Sequence, residues 1–335
     1  MAQLASLTLN ASSSLNLSSM SSGSDGNLWY NPIAKTMQYS WYGLTWSTQS
    51  PLNNTQMLGA GFGSGNAALS IGNQNSATPA SPVGFQGLTE EFNGAAWSAG
   101  GNLNLNKACL AAAGTLTAGL AFAGTPPGVF PTQYPTATEE YNGTSWSAGG
   151  AMNTGRITLT GFGTQNSAVA AGGSPLYPNQ SLQDCTENYN GSTWSTGGAL
   201  ITGRRHLGSS GISTEGVIFG GQISNTATNA TEEYDGSSWA SGGNMITVNF
   251  YHTGVGSSQS TALKAGGCNP ALSSCTEVYD GSSWSSFSPI ITPRRWLSGA
   301  GDRDSVEGAL IFGGQATGVL YNTEAYSADT NIVNI

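Results

Sequence analysis

The chain has 335 residues, with nine Lys or Arg, 18 Asp or Glu and two His, for a formal net charge of −9. Phosphate recognition needs clustered cations, so this balance argues against a nucleic-acid partner. Only 8% of residues are charged, against the usual quarter, while 48 are glycine, so solubility rests on hydroxyl and amide groups.

The first segment, MAQLASLTLNASSSLNLSSMSSGS, carries no charge and alternates Leu with Ser, Thr or Asn at Leu4, Leu7, Leu9, Leu15 and Leu17. It lacks a basic stretch and a long apolar core, so it reads as neither a signal peptide nor a membrane span. Two readings of residues 1–25 stand: a disordered Ser-rich tail, or a strand-forming arm that docks on a partner. Residues 26–335 are expected to form one domain. Near its start, TMQYSWYGLTWS (Thr36 to Ser47) reads as a strand that supplies Trp46 ahead of the first repeat.

From there the chain repeats. Trp46, Trp97, Trp146, Trp194, Trp239 and Trp284 are separated by 51, 49, 48, 45 and 45 residues. Each unit holds an apolar run ending in small residues, from ALSIGN to ALIFGG, then a Thr-Glu-x-Tyr-like segment, TEEYNGTSW being typical. A β-branched run such as RITLTGFG (Arg156 to Gly163) reads as the first strand of its unit, and SAVAAGG as a second one buried on both faces. TEEY and TSW read as a third and a fourth, flanking an Asn-Gly or Asp-Gly hairpin step. Four short strands in 45–50 residues, with no helical periodicity, predict propeller blades. The sixth unit, TEAYSADTN, has no tryptophan of its own, so the N-terminal strand bearing Trp46 is expected to pair there and close the ring, leaving no open sheet edge. The expected fold is an all-β, six-bladed propeller of four antiparallel strands per blade. A seven-bladed ring would need a further Gly-Gly strand that the chain does not offer.

The Gly-Gly, Tyr and Trp at this period resemble the kelch repeat over about Thr36 to Tyr326. GNLWYNPIAKTMQYSWYGLTWS (Gly26 to Ser47) is similar to segments of bacteriophage virion proteins, and the whole chain resembles kelch-like propellers carried by tailed phages, although Asn27 and Trp41-Tyr42-Gly43 depart from that pattern. The resemblance implies a structural protein of the virion, made in the host cytoplasm and placed on the tail or capsid surface. Its expected partners are other virion proteins through the N-terminal arm, and a host-surface glycan or envelope protein. The alternative is a purely structural decoration or cement protein.

Enzymatic chemistry is not expected, although a kelch-type carbohydrate-active enzyme is a third possibility. The kelch-type copper oxidase resembles this fold but needs two Tyr, two His and a cross-linked Cys, whereas His206 and His252 open different blades without ligand spacing. No metal motif or cofactor signature is present. The glutamates Glu90, Glu139, Glu187, Glu232, Glu277 and Glu324 recur in every blade, as structural positions do and a catalytic acid does not. With nine cations in the chain they are expected to be satisfied by backbone N–H groups or hydroxyls of the neighbouring blade rather than by ion pairs, the alternative being that they are solvated. Cys268 and Cys275 bracket one short loop, where a disulfide is geometrically possible.

Strand parity puts the loops between blades, and those between second and third strands, on one face. The latter run 15, 13, 12, 9, 8 and 8 residues from the first blade to the sixth, the long ones carrying Phe130, Tyr134 and Tyr177. Loops on a rigid frame are where recognition usually sits. Ten residues after each tryptophan come Gln56, Lys107, Arg156, Arg204, Asn249 and Arg294, with Arg205 and Arg295 directly following and His206, Tyr251 and Trp296 next. These positions are expected to ring the channel mouth with basic side chains and bind a carboxylated or sulfated ligand, unless the arginines merely cap neighbouring carbonyls.

Overall fold

The structure, a computed structural model, describes residues 26–31, 36–74, 84–127, 136–175, 182–301 and 308–334. The arm 1–25 and the loop aromatics Phe130, Tyr134 and Tyr177 lie outside them. The chain divides into two compact units, Thr45–Ser327 and Met1–Leu44 with Ala328–Ile335. In the smaller, Gly26–Asn31 pairs antiparallel with residues 36–41, Gly26 opposite Trp41 and Asn31 opposite Thr36.

The larger unit is a six-bladed β-propeller. Blade one comprises Ala60–Ser64, Ala67–Gln74, Phe85–Phe92 and Trp97–Ala99, ordered from the axis outward. Blades two to five repeat this antiparallel order, beginning with Ala108–Thr115, Thr160–Thr164, Gly208–Ile212 and Thr253–Val255. Blade six takes Ser298–Ala300 and Leu310–Phe312 from one end of the domain, then residues 323–327, and closes on residues 45–49 of the N-terminal strand. Trp46 packs on Tyr326 with ring centroids 5.5 Å apart.

What joins one blade to the next is a repeated pair of hydrogen bonds. In each blade the Trp of the fourth strand stacks on the Tyr or Phe opposite it on the third, as Tyr141 on Trp146 at 4.9 Å. Its indole N–H then reaches the Thr hydroxyl of the preceding blade: Trp146 to Thr89, Trp194 to Thr138, Trp239 to Thr186 and Trp284 to Thr231, all at 2.9–3.0 Å. The series crosses the junction of the termini, with Trp97 donating to Thr323 at 3.0 Å and Trp46 to the Ser288 carbonyl at 2.9 Å. The tyrosine hydroxyl also reaches back one blade, to the second glutamate of Thr-Glu-Glu: Tyr141 to Glu91, Tyr189 to Glu140 and Tyr279 to Glu233. Burial, then these carboxylates, push the three phenols up to about 12. Where blade six has Ala325 in place of that glutamate, blade one has Phe92 in place of tyrosine, so neither polar group is left over.

Two local details differ from the sequence reading. The first strand of blade three starts at Thr160, not Arg156, because Thr158 takes φ +56° and breaks the extended backbone. The Asn-Gly and Asp-Gly steps belong to four-residue loops rather than two-residue hairpins. Only the glycine has positive φ, and the preceding side chain accepts two backbone N–H groups, as Asn142 does from Thr144 and Ser145. At the exposed Asp235 and Asp280 the same bonds hold the carboxyl below its usual range. All four cysteines are free thiols, so Cys268 and Cys275 are not bonded.

Closure through Trp46 sets a test. Removing residues 1–49 is expected to lower Tm by about 10 °C, the loss of one buried tryptophan and its strand, whereas removing residues 1–25 leaves Tm unchanged by calorimetry.

Candidate functional site

The repeated glutamates are the first surprise. Each is buried, and each accepts backbone N–H bonds from the loop that leads into its own blade. Glu232 takes Ile201 N–H at 2.8 Å and Thr202 N–H at 3.3 Å, and Glu187, Glu277 and Glu324 are held likewise. Backbone N–H partners were expected, but from the neighbouring blade rather than from the loop into the same one. Contrary to expectation, five of the six also find a cation: Lys107 pairs with Glu139 at 3.2 Å, Arg156 with Glu187 at 3.1 Å, Arg204 with Glu232, Lys264 with Glu277 at 3.7 Å and Arg294 with Glu324. Burial pulls the pKa of all five cations down, and the facing carboxylates oppose it.

The basic ring expected at the channel mouth is therefore absent. Arg156, Arg204 and Arg294 are 0% exposed and Lys107 is 1% exposed. They turn into the blade instead of toward the axis because the carboxylate lies there. Each arginine also caps carbonyls with Nη1, as Arg294 does at Gly313 (3.1 Å) and Asn322 (3.0 Å), the capping role named above as the alternative. Asn249 cannot form an ion pair, and blade five compensates with Lys264, which stands directly opposite Glu277 on the neighbouring strand. The signal was a lysine interrupting an otherwise apolar run, ALKAGG. Blade one has no cation at this position: Gln56 caps the Gly72 carbonyl at 3.0 Å, while the side chains of Asn53 and Asn54 both donate to Glu90.

Two residues beyond each opening position the chain does something it does nowhere else in concert. Leu58, Cys109, Thr158, His206, Tyr251 and Trp296 all have φ between +56° and +61°. Their backbones form a closed circle: Cys109 N–H donates to Leu58 carbonyl (2.7 Å), Thr158 to Cys109 (3.1 Å), His206 to Thr158 (2.9 Å), Tyr251 to His206 (3.3 Å), Trp296 to Tyr251 (2.9 Å) and Leu58 to Trp296 (3.3 Å). A left-handed conformation costs a non-glycine residue roughly 1–2 kcal/mol, about what one hydrogen bond returns. A chain with 48 glycines uses none of them here. The six side chains are kept, and they line a cavity of about 100 Å³ at one end of the channel. Behind it the channel widens to about 200 Å³ between inner strands rich in Gly, Ala, Ser and Thr.

The six are also unlike one another, whereas every framework position repeats. On one side stand Leu58, Cys109 and Thr158. On the other, His206 meets Tyr251 edge-on with centroids 4.3 Å apart, and Tyr251 meets Trp296 at 5.0 Å. Arg295 stacks over Trp296 at 4.0 Å while its Nε and Nη2 hold Gln315, and Arg205 reaches Asn225 at 2.6 Å. The sequence-derived set His206, Tyr251, Trp296, Arg205 and Arg295 is thus brought together, without Lys107, Arg156, Arg204 and Arg294. Burial, and secondarily Arg205, push His206 down to about 3. His252, behind the ring and 6% exposed, is likewise pushed down to about 3 by burial and by Lys264, so both imidazoles are neutral.

The same face carries a feature that sequence reasoning missed. At the first loop position held by each glutamate, blades one to three have Asn53, Asn104 and Asn153, whose amides fold back onto the Trp97, Trp146 and Trp194 carbonyls. Blades four to six have Ile201, Ile246 and Ile291, more than half exposed at 57%, 54% and 54%. The signal was present as LITGR, MITVN and IITPR at 45-residue spacing. The isoleucines share blades four to six with the aromatic half of the mouth and with the shorter loops.

Among the described residues no group of three or more His, Cys, Asp or Glu is placed to hold a metal ion. A six-bladed β-propeller with a lined axial mouth is the class that fold and site define. Compared with models of known protein families and with curated proteins, the chain matches none.

Two outcomes follow from the buried charges. Arg204→Met leaves Glu232 buried without its cation and is expected to destabilise by about 3–5 kcal/mol, whereas Arg204→Met with Glu232→Gln recovers much of that loss in urea unfolding. His252 has a folded pKa near 3 and an ordinary unfolded value, so the unfolded chain binds the extra proton between them. Its contribution is complete above pH ~6.5 and falls as pH drops toward 3, by at most about 1.4 kcal/mol per pH unit. His252→Gln is expected to flatten the Tm-against-pH curve in that window.

Proposed function

We propose that the chain is a non-enzymatic structural component of a tailed-phage virion, on the tail or capsid surface, that presents its inter-blade-loop face to a host-surface glycan or envelope protein. The observation that carries the recognition half is the contrast between positions. Glu, Trp, Thr and the Gly-Gly steps recur round the ring, but the six mouth residues differ from blade to blade and hold a backbone conformation that favours glycine. Side chains retained against that preference, beside three exposed isoleucines, suit a surface that meets a ligand.

The virion half rests on the likeness of Gly26 to Ser47 and of the kelch-like repeats to tailed-phage propellers, with residues 1–25 as the attachment to other virion proteins. Immunogold labelling of purified particles is expected to decorate tail or capsid, and preincubating host cells with soluble protein to slow adsorption. Unlabelled particles would overturn the virion assignment. Labelled particles with unchanged adsorption would leave the purely structural reading, a decoration or cement protein.

A further inference from the structure

The ligand chemistry of the mouth can be taken further, on the reading that this face recognises something. The anionic ligand expected from the sequence loses its basis, because the guanidinium groups of Arg156, Arg204 and Arg294 are buried on glutamates. Arg205 and Arg295, beside the mouth, keep their charge, but their donors are engaged by neutral amides: Arg295 holds Gln315 and stacks on Trp296, and Arg205 is bonded to Asn225.

Beside these two the mouth offers a set of neutral groups. Two buried polar atoms among the residues lining the cavity have no hydrogen-bond partner among the described residues: Trp296 Nε1 and His252 Nδ1. The indole can only donate. The imidazole is neutral, and its Nε2 lies 3.2 Å from the Phe219 carbonyl, so the proton belongs on Nε2 and Nδ1 is an acceptor. An unsatisfied buried polar atom costs about 1–3 kcal/mol. Asn73 Oδ1, Asn249 Oδ1 and the Nε atoms of Arg156 and Arg204 also lack a hydrogen-bond partner elsewhere, but Trp296 Nε1 and His252 Nδ1 belong to residues that line this one cavity.

Around them stand flat rings. Tyr251 is braced by Phe250 at 4.5 Å, by His206 and by Trp296, so its orientation is set before anything binds. The cavity, about 100 Å³, is smaller than the roughly 150 Å³ void that admits one benzene ring, so a sugar ring would rest across the mouth with one edge inserted rather than be enclosed. One donor, one acceptor and aromatic walls, flanked by guanidinium groups already held by neutral amides, describe a site for groups that both accept and donate hydrogen bonds. Hydroxyls do both. We propose that the mouth binds a neutral, polyhydroxylated ring: one uncharged sugar residue of a glycan, with its C–H face on the aromatic side and a hydroxyl on Trp296 Nε1–H.

The test uses the full chain labelled with ¹⁵N at tryptophan, where the indole signal of Trp296 is assigned by its loss in Trp296→Phe. Neutral hexoses and N-acetylhexosamines are titrated at millimolar concentration, and glucuronate, sialic acid and glucose 6-sulfate in parallel. At least one neutral sugar is expected to shift the Trp296 indole signal and leave the six framework indoles in place. Trp296→Phe, which keeps a ring and loses only the donor, is expected to weaken that sugar about tenfold, read on the aromatic signals of the sugar-bound protein. Tyr251→Ala should weaken it as much or more, with the framework indole signals reporting an intact fold. If no neutral sugar moves the signal, or only the anionic ones do, the proposal is wrong. Should the soluble protein still slow host adsorption in that case, recognition stands and only its ligand class has been misassigned.

Discussion

A buried carboxylate in each blade organises this propeller. The first glutamate of Thr-Glu-x-Tyr lies on the third strand, yet it binds the loop that leads into the innermost one, by backbone N–H bonds and, in five blades, through a cation. That fixes where the chain turns toward the axis. The opening residue then caps carbonyls of the second strand and the connection after it, and two residues later the backbone enters the left-handed ring that ends the channel. Glutamate, opening residue and mouth residue form one mechanical series, so the mouth is only as rigid as the ion pair beneath it. Removing one partner of such a pair is far worse than removing both, because the remaining charge stays buried.

The series also explains the surface. The chain owns nine basic residues, and five are buried on glutamates. The pairs cancel in charge, so the chain keeps its net −9, and the mouth is lined by aromatic, hydroxyl and aliphatic groups with Arg205 and Arg295 beside them.

Between blades the physics is different in kind. The tryptophan N–H and tyrosine O–H bonds step backward round the ring, each blade leaning on its predecessor, and the tryptophan series runs through the joint where the two ends of the domain meet in blade six. A ring assembled this way leaves each blade only short edge strands. It also isolates the blades' individuality to positions outside the belt: the six mouth residues and the leading-loop Asn or Ile. Blades four to six differ from blades one to three at both sets together, so the face is divided into an aromatic and aliphatic half and a small-residue, amide half.

Blade number, strand order and closure by Trp46 were legible in the sequence, because a propeller position touches its own equivalent in the next blade, and equivalence shows as repetition. Even the Phe92 and Ala325 exchange is readable once the neighbour rule is known. The role of the arginines was not. Arg156 and Arg204 carry no mark of which way they point; that depends on Glu187 and Glu232, 31 and 28 residues downstream, delivered beside them only when the third strand has paired with the second. Lys264 doing the work of the missing arginine in blade five is invisible for the same reason, since it comes from a different strand than the residue it replaces. The left-handed ring is the plainest case. No residue type there favours positive φ, so composition argues against it, and only six blades closing on one axis bring each N–H to the carbonyl that compensates the strain.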